Sequence, residues 1–428
     1  MSTATHDRTV IVHIGTPKTG TTALQEALAD ARPLLLNAGV LYNSTFGDRG
    51  TQATLPARIM AQCGNWDNVS EWKVKRFERA MHNRRPFDID TAFDQELHES
   101  TPSTVVVSSE AVWQLTRSRG FLEALYNYLS TRFAVVTIVV YLRRQELYLA
   151  SQYSQNRKVM PYCSLDLEQA RLADEGDLDY WASVSLIADI FGNDAVMVRP
   201  YERSSLEGRS TATDFFSRFG LPLPSDDNRS SCSRTLRERS NPSWGRDIVA
   251  FVSILNQHLN LFDPIGWRTP LFARVCKVLD ELPITTEPVA CGRSRAEELL
   301  ARYGEGNAEI AKRFLGRKDG VLFHEPFEPP DEDRLPEIDS EALGRIASAV
   351  IEGLGAEHSQ LVEVLRDQTI RFHNHREQTG KIATRLRNLQ DEKRVLEDRV
   401  RALKREVSCL HSQLRQTQGP VVEPSSDQ

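Results

Sequence analysis

The feature that most constrains this chain lies near its start, where an apolar run ends in a Gly/Thr/Lys loop that opens directly into helix-forming sequence. Val10 to Ile14 is broken only by His13, the loop is Gly15-Thr16-Pro17-Lys18-Thr19-Gly20-Thr21-Thr22, and Thr21 to Ala31 is rich in Ala and Leu. That order reads as strand, tight loop and helix, the opening unit of many nucleotide-binding α/β folds. Two further runs, Thr104 to Val107 and Ala134 to Leu142, are near-continuous Val/Ile sequence, and Ala195 to Arg199 is a fourth candidate. Runs without alternation fit parallel strands covered on both faces. Helical text lies between them, around Leu122 to Leu129 and Glu146 to Arg157. The expectation is a three-layer α/β domain over residues 8–325, with a central parallel sheet within a core of 8–220.

Beyond about Leu206 the strand signal fades. Asp214 to Phe219, Asp247 to Leu261 and Glu297 to Leu315 read as helices, and Pro222 and Pro224 interrupt them. Residues 221–325 are therefore expected to form a helical region on the acceptor side. The acidic, proline-rich stretch from Glu325 to Pro336 predicts a linker over 326–339. Helical sequence continues over 340–380. From Ile382 apolar residues recur in steps of four and three, with Ile382, Leu389, Leu396, Leu403 and Leu410 at d and Leu386, Val400, Val407 and Leu414 at a. Lys393 is the one charged residue at an a position. Val at a with Leu at d favours a parallel two-stranded coiled coil, here over 381–416, and so a homodimer or a partner helix. An amphipathic helix packed on its own domain is the plainer alternative. Residues 417–428 are polar and predicted to be disordered.

The loop's chemistry comes from its residue types. Glycines allow backbone N–H groups to approach an anion, and the start of the next helix carries partial positive charge. Lys18 adds a full charge, and Thr19, Thr21 and Thr22 add hydroxyl donors. This is a phosphate cradle, but not the G-x-x-x-x-G-K-[ST] loop of ATPases, because Lys18 precedes Gly20 by two residues. Only a local arrangement can bind an anion here, since 53 basic and 59 acidic residues give a formal net charge of -6. That balance points to no nucleic-acid partner.

T-P-K-T-G-T-T after a first strand resembles the 5′-phosphosulfate-binding loop of sulfotransferases that use 3′-phosphoadenosine-5′-phosphosulfate (PAPS). A second family motif, which binds the 3′-phosphate, is an Arg leaving a strand with a Ser eight residues on. Here Arg143 and Ser151 stand at that spacing. The resemblance implies a P-loop NTPase-like fold and a PAPS-binding set of Thr16, Pro17, Lys18, Thr19, Gly20, Thr21, Thr22, Arg143 and Ser151. Arg199-Pro200-Tyr201-Glu202 is similar to the family's Y-E-[DN]-L segment and would set Tyr201 beside the adenine, although Arg203 departs from that pattern. A sulfuryl group bears less charge than a terminal phosphoryl group, so no metal is required. Lys18 would neutralise charge on the leaving phosphate.

Family members use a histidine or a glutamate to accept the acceptor's proton. No Glu occurs between Glu26 and Glu71, and the strand before the Arg motif ends at Ser108-Ser109-Glu110. Glu110 is thus the candidate catalytic base; the alternative is the first residue of a helix capped by Ser109. His13, mid-strand, reads as a core histidine. The acceptor implied by the resemblance, to bacterial carbohydrate-type enzymes, is a glycan or glycolipid hydroxyl, or an amine. A nucleotide-dependent kinase, or a nucleotide-binding scaffold presenting the coiled coil, are the competing readings. The polar start, Met1 to Arg8, and six scattered cysteines point to a cytoplasmic protein with free thiols and no membrane span.

Overall fold

The computed structural model describes residues 7–47, 51–63, 69, 71–81, 85–159, 163–223, 244–262, 268–283, 286–326 and 328–354, together with 381, 385, 388, 390–401 and 404. Five strands form one sheet: β1 (Thr9–His13), β2 (Val40–Tyr42), β3 (Thr104–Ser108), β4 (Val135–Leu142) and β5 (Val196–Pro200). Their order is β2-β3-β1-β4-β5, and every pairing is parallel. The chain is therefore mixed α/β, with β1 at the centre of a five-stranded parallel sheet.

Both sheet faces are covered, which explains the unbroken apolar runs. On one face Val10, Val12, Val105, Val107, Ile138 and Val140 share a core with Leu122 and Leu125 of helix Arg119–Ser130 and Val184 of helix Tyr180–Phe191. On the other, Ile11, Val106, Val139 and Tyr141 pack with Leu24 and Leu28 of α1 (Thr21–Asp30) and Phe215 and Phe216 of helix Thr211–Arg218. Each such buried Val, Leu or Phe contributes roughly 1.5–3 kcal/mol of transfer free energy. One polar anchor lies in the second layer. Asp214, buried, accepts from Tyr141 Oη at 2.8 Å and from Arg199 Nη2 at 2.7 Å.

Two features depart from the sequence reading. The edge strand β2 has no counterpart among the expected strands. It has only three residues, too short for a pattern to register. Within the 326–339 stretch expected as a linker, the described residues 328–339 belong to the first unit and bond to it. Arg334 and Ala290 exchange backbone hydrogen bonds of 2.8 and 3.2 Å, and Asp333 accepts from Gly292 N at 2.7 Å and from Arg295 Nη2 at 2.6 Å. Pro330 joins them, its carbonyl accepting from Arg293 N at 2.8 Å.

The chain divides into two compact units, Met1–Asp339 and Ser340–Gln428. In the second, helix Ser340–Leu354 spaces Leu343, Ile346, Ala347, Val350 and Leu354 along one face. Residues 390–401 are helical, with Leu396 63% and Val400 49% exposed. The other apolar heptad positions, from Ile382 to Leu414, lie outside the described residues, as do 355–380 and 417–428.

Candidate functional site

The chain leaves β1 for β2 and β3 on one side, then crosses back to β4 and β5 on the other. Ligands of open α/β sheets bind at the carboxyl ends of strands where the order reverses in this way. The segments after β1, β3 and β4 meet there.

The loop after β1 is held from below. Thr16 donates through both its backbone N (3.4 Å) and Oγ1 (2.9 Å) to the Tyr141 carbonyl of β4. Thr19 Oγ1 donates to the Thr16 carbonyl at 2.6 Å, and Thr211 Oγ1 donates to the Thr19 carbonyl at 2.6 Å. The Thr16 and Thr19 hydroxyl protons are thus turned inward and shape the loop. A Cβ on Gly15 would lie 2.5 Å from His13 Nε2, and Gly20, at φ 81°, would place one 2.9 Å from Thr211 Oγ1. Lys18 itself adopts φ 69°, a left-handed conformation uncommon for a side-chain-bearing residue and a mark of local strain. Pro17 is buried, and Thr22 is half-buried in the first turn of α1.

Around this loop the structure gathers most of the residues singled out in the sequence. Arg143, just past β4, donates from Nη1 to the Lys18 carbonyl at 3.0 Å. Its guanidinium lies 5.8 Å from the Tyr201 ring centroid, and Tyr201 is anchored by its backbone N on the Leu142 carbonyl at 2.6 Å. Lys18 Nζ approaches Gln155 Oε1 at 3.4 Å. Burial lowers the Lys18 ammonium to about 8; Lys158 and Arg143 also lower it, while Glu110 and Asp280 oppose. Arg143 Nε and Ser151 Oγ are buried with no hydrogen-bond partner. Leaving such groups unsatisfied costs about 1–3 kcal/mol each, so both are suited to an anion that supplies acceptor oxygens.

Glu110 reaches the same place from β3. Its Oε2 accepts from Thr21 Oγ1, in the first turn of α1, at 2.8 Å. Ser109 does not cap a helix there. Its Oγ is buried without a partner, and the next helical element is a single turn over Trp113–Leu115 with no side-chain cap. His13 sits beneath the loop, fully buried, its Nδ1 2.8 Å from Ser108 Oγ and its ring edge-on to Tyr141 and Phe215. Burial pushes it down to about 3, so the ring is neutral; it ends β1 rather than lying mid-strand as expected, and its Nε2 is buried without a partner.

Sequence reasoning missed Thr211, Gln155, Lys158 and Asp280. Gln155 and Lys158 come after Ser151 at steps of four and three, a helical-face spacing that is legible in the sequence. Thr211 carries no such signal, because its partner Thr19 is 192 residues away. Among the described residues, no group of three His, Cys, Asp or Glu could hold a metal ion, and no helix is long and apolar enough to cross a membrane. Cys63, Cys163, Cys276 and Cys291 are free.

No family model matches this chain. An uncharacterized protein from Archaeoglobus fulgidus is 26% identical over 224 residues, which is 52% of this chain and 56% of the relative. The chain thus matches little more than half of that relative's length. Among solved structures, a sulfotransferase from Alicyclobacillus acidocaldarius aligns over 71% of this chain and 95% of its own, at 13% identity and a TM-score of 0.33.

Proposed function

We propose that the chain transfers a sulfuryl group from PAPS to a hydroxyl or amine acceptor, a glycan or glycolipid being the class we favour. The observation that carries this reading is the union of two anion-binding elements. Arg143 is hydrogen-bonded to the Lys18 carbonyl, while Arg143 Nε and, one turn before Gln155 on the helix that meets Lys18, Ser151 Oγ are buried and unpartnered. Loop and post-β4 residues thereby form one basic cradle fit for a ligand bearing two separated phosphate groups, as a 3′,5′-bisphosphorylated nucleoside does.

PAPS, when bound, supplies an activated sulfuryl group on a phosphate leaving group. The residues of this chain would do the rest. The α1 N-terminus and the hydroxyls of Thr21 and Thr22 would face the 5′ side. Arg143 and Ser151 would hold the 3′-phosphate, Arg143 through its planar fork, and Tyr201 would border the adenine. The Lys18 ammonium, half-buried in the loop, would neutralise charge on the departing oxygen. Glu110, oriented by Thr21, would accept the acceptor's proton.

The first test is calorimetric titration with adenosine 3′,5′-bisphosphate, the product of such a transfer. Absence of binding would overturn the reading. Where binding is present, Glu110→Gln should preserve it while lowering turnover with labelled PAPS by about 10²–10⁴-fold. Full turnover in that variant would remove Glu110 as the base.

A further inference from the structure

Helix Gln145–Val159 presents Ser151, Gln155 and Lys158 at steps of four and three, a single stripe running from the unpartnered serine past the Lys18 loop. Gln155 Oε1 meets Lys18 Nζ at 3.4 Å. One turn further, the Lys158 ammonium is fixed rather than free. It pairs with Asp280 Oδ1 at 2.5 Å and lies 4.2 Å from the Trp244 ring centroid, while Trp244 Nε1 donates to the same Asp280 oxygen at 2.8 Å. Trp244 and Lys158 are 2% and 5% exposed, while the Asp280 side chain is 39% exposed, so the ammonium is held against a packed tryptophan by a half-buried carboxylate. Asp280 belongs to helix Pro270–Glu281, far along the chain from the loop.

We propose that Lys158 is a positioning residue: clasped by Asp280 of helix Pro270–Glu281 and by Trp244, it holds a fixed positive charge one turn beyond Gln155 on the same helix and sets the electrostatic field at the Lys18 ammonium. The charged groups acting on Lys18 are Lys158 and Arg143 on one side of the balance and Glu110 and Asp280 on the other. Lys158 makes the ammonium easier to deprotonate, and Asp280 restrains that effect while holding Lys158 in place. Packing of Trp244 and of helix Pro270–Glu281 is thereby coupled to the charge state of the loop. The significance of this coupling for turnover rests on the sulfuryl-transfer reading; the charge relation itself does not.

The test tracks the titration of Lys18 through its Nζ resonance in full-length protein carrying isotope-labelled lysine, assigned by its disappearance in Lys18→Arg. Lys158→Gln should move the Lys18 midpoint upward, because removing a like charge favours the protonated ammonium. Asp280→Asn should move it downward, and Lys158→Arg should leave it in place. Opposite shifts from two members of one ion pair are not what loss of packing produces. An unchanged midpoint in folded Lys158→Gln overturns the inference; should that variant not fold, an unchanged midpoint in Asp280→Asn does so. Adenosine 3′,5′-bisphosphate binding, measured on the same samples, separates the two ideas. Paired shifts without binding retain Lys158's role and sink sulfuryl transfer, whereas binding without the shifts does the reverse.

Discussion

Arg143 Nη1 donates to the carbonyl oxygen of Lys18 at 3.0 Å, so the residue expected to bind one phosphate also shapes the loop expected to bind the other. The left-handed backbone of Lys18, at φ 69°, accompanies this arrangement. One guanidinium joins the two halves of the cradle.

Arg143→Ala should therefore weaken adenosine 3′,5′-bisphosphate by about 10- to 100-fold, the value of one charge-assisted hydrogen bond. Arg143→Lys should recover only part of this, because an ammonium lacks the planar fork. Calorimetry on both variants checks the order; equal affinity for wild type and Arg143→Ala would refute it.

Ligand binding should take up a proton near pH 8. Free Lys18 titrates at about 8 because burial lowers it, and a bound phosphate raises the pKa of an adjacent ammonium. Above that pH the free protein has lost the charge and must regain it on binding, so affinity falls as pH rises. Calorimetry in buffers of different ionisation enthalpy measures the uptake, which should vanish in Lys18→Met.

Acid should destabilise the first unit through His13. Its folded pKa is depressed to about 3 by burial, below the ordinary value of about 6.5. The unfolded chain therefore binds the proton first. Stability from this group is full above pH 6.5 and declines by about 1.4 kcal/mol per pH unit as pH falls toward 3. Denaturant unfolding of His13→Gln should show a shallower decline over that window, whatever its absolute stability.

The exposed Leu396 and Val400, at 63% and 49%, occupy d and a heptad positions. If the C-terminal helix pairs with a second copy, sedimentation equilibrium should give a dimer, and Leu396→Glu should convert it to monomer. Wild type sedimenting as a monomer at micromolar concentration would exclude this pairing.

The strand–loop–helix opening and the parallel character of the sheet were legible in the sequence alone. They follow from local properties: uninterrupted Val and Ile require two covered faces, and Gly15 is required where a Cβ would strike His13, two residues away. Arg143 lies just past β4 and Ser151 in the helix that follows, as their spacing implied. Which partners these residues meet is set by tertiary contacts. The short strand β2 is held by its neighbour β3 and not by a pattern of its own. The Thr16 and Thr19 hydroxyls turn inward because carbonyls lie beneath them. The 328–339 segment is fixed by Arg334 and Asp333 bonding to residues around 290–295. Lys158, Trp244 and Asp280 meet by packing of distant helices, and no local spacing encodes that contact. The loop alone implies an anion; the Arg143 bond to Lys18, formed between the segments that follow the neighbouring strands β1 and β4, joins it to the residues expected to hold a second one.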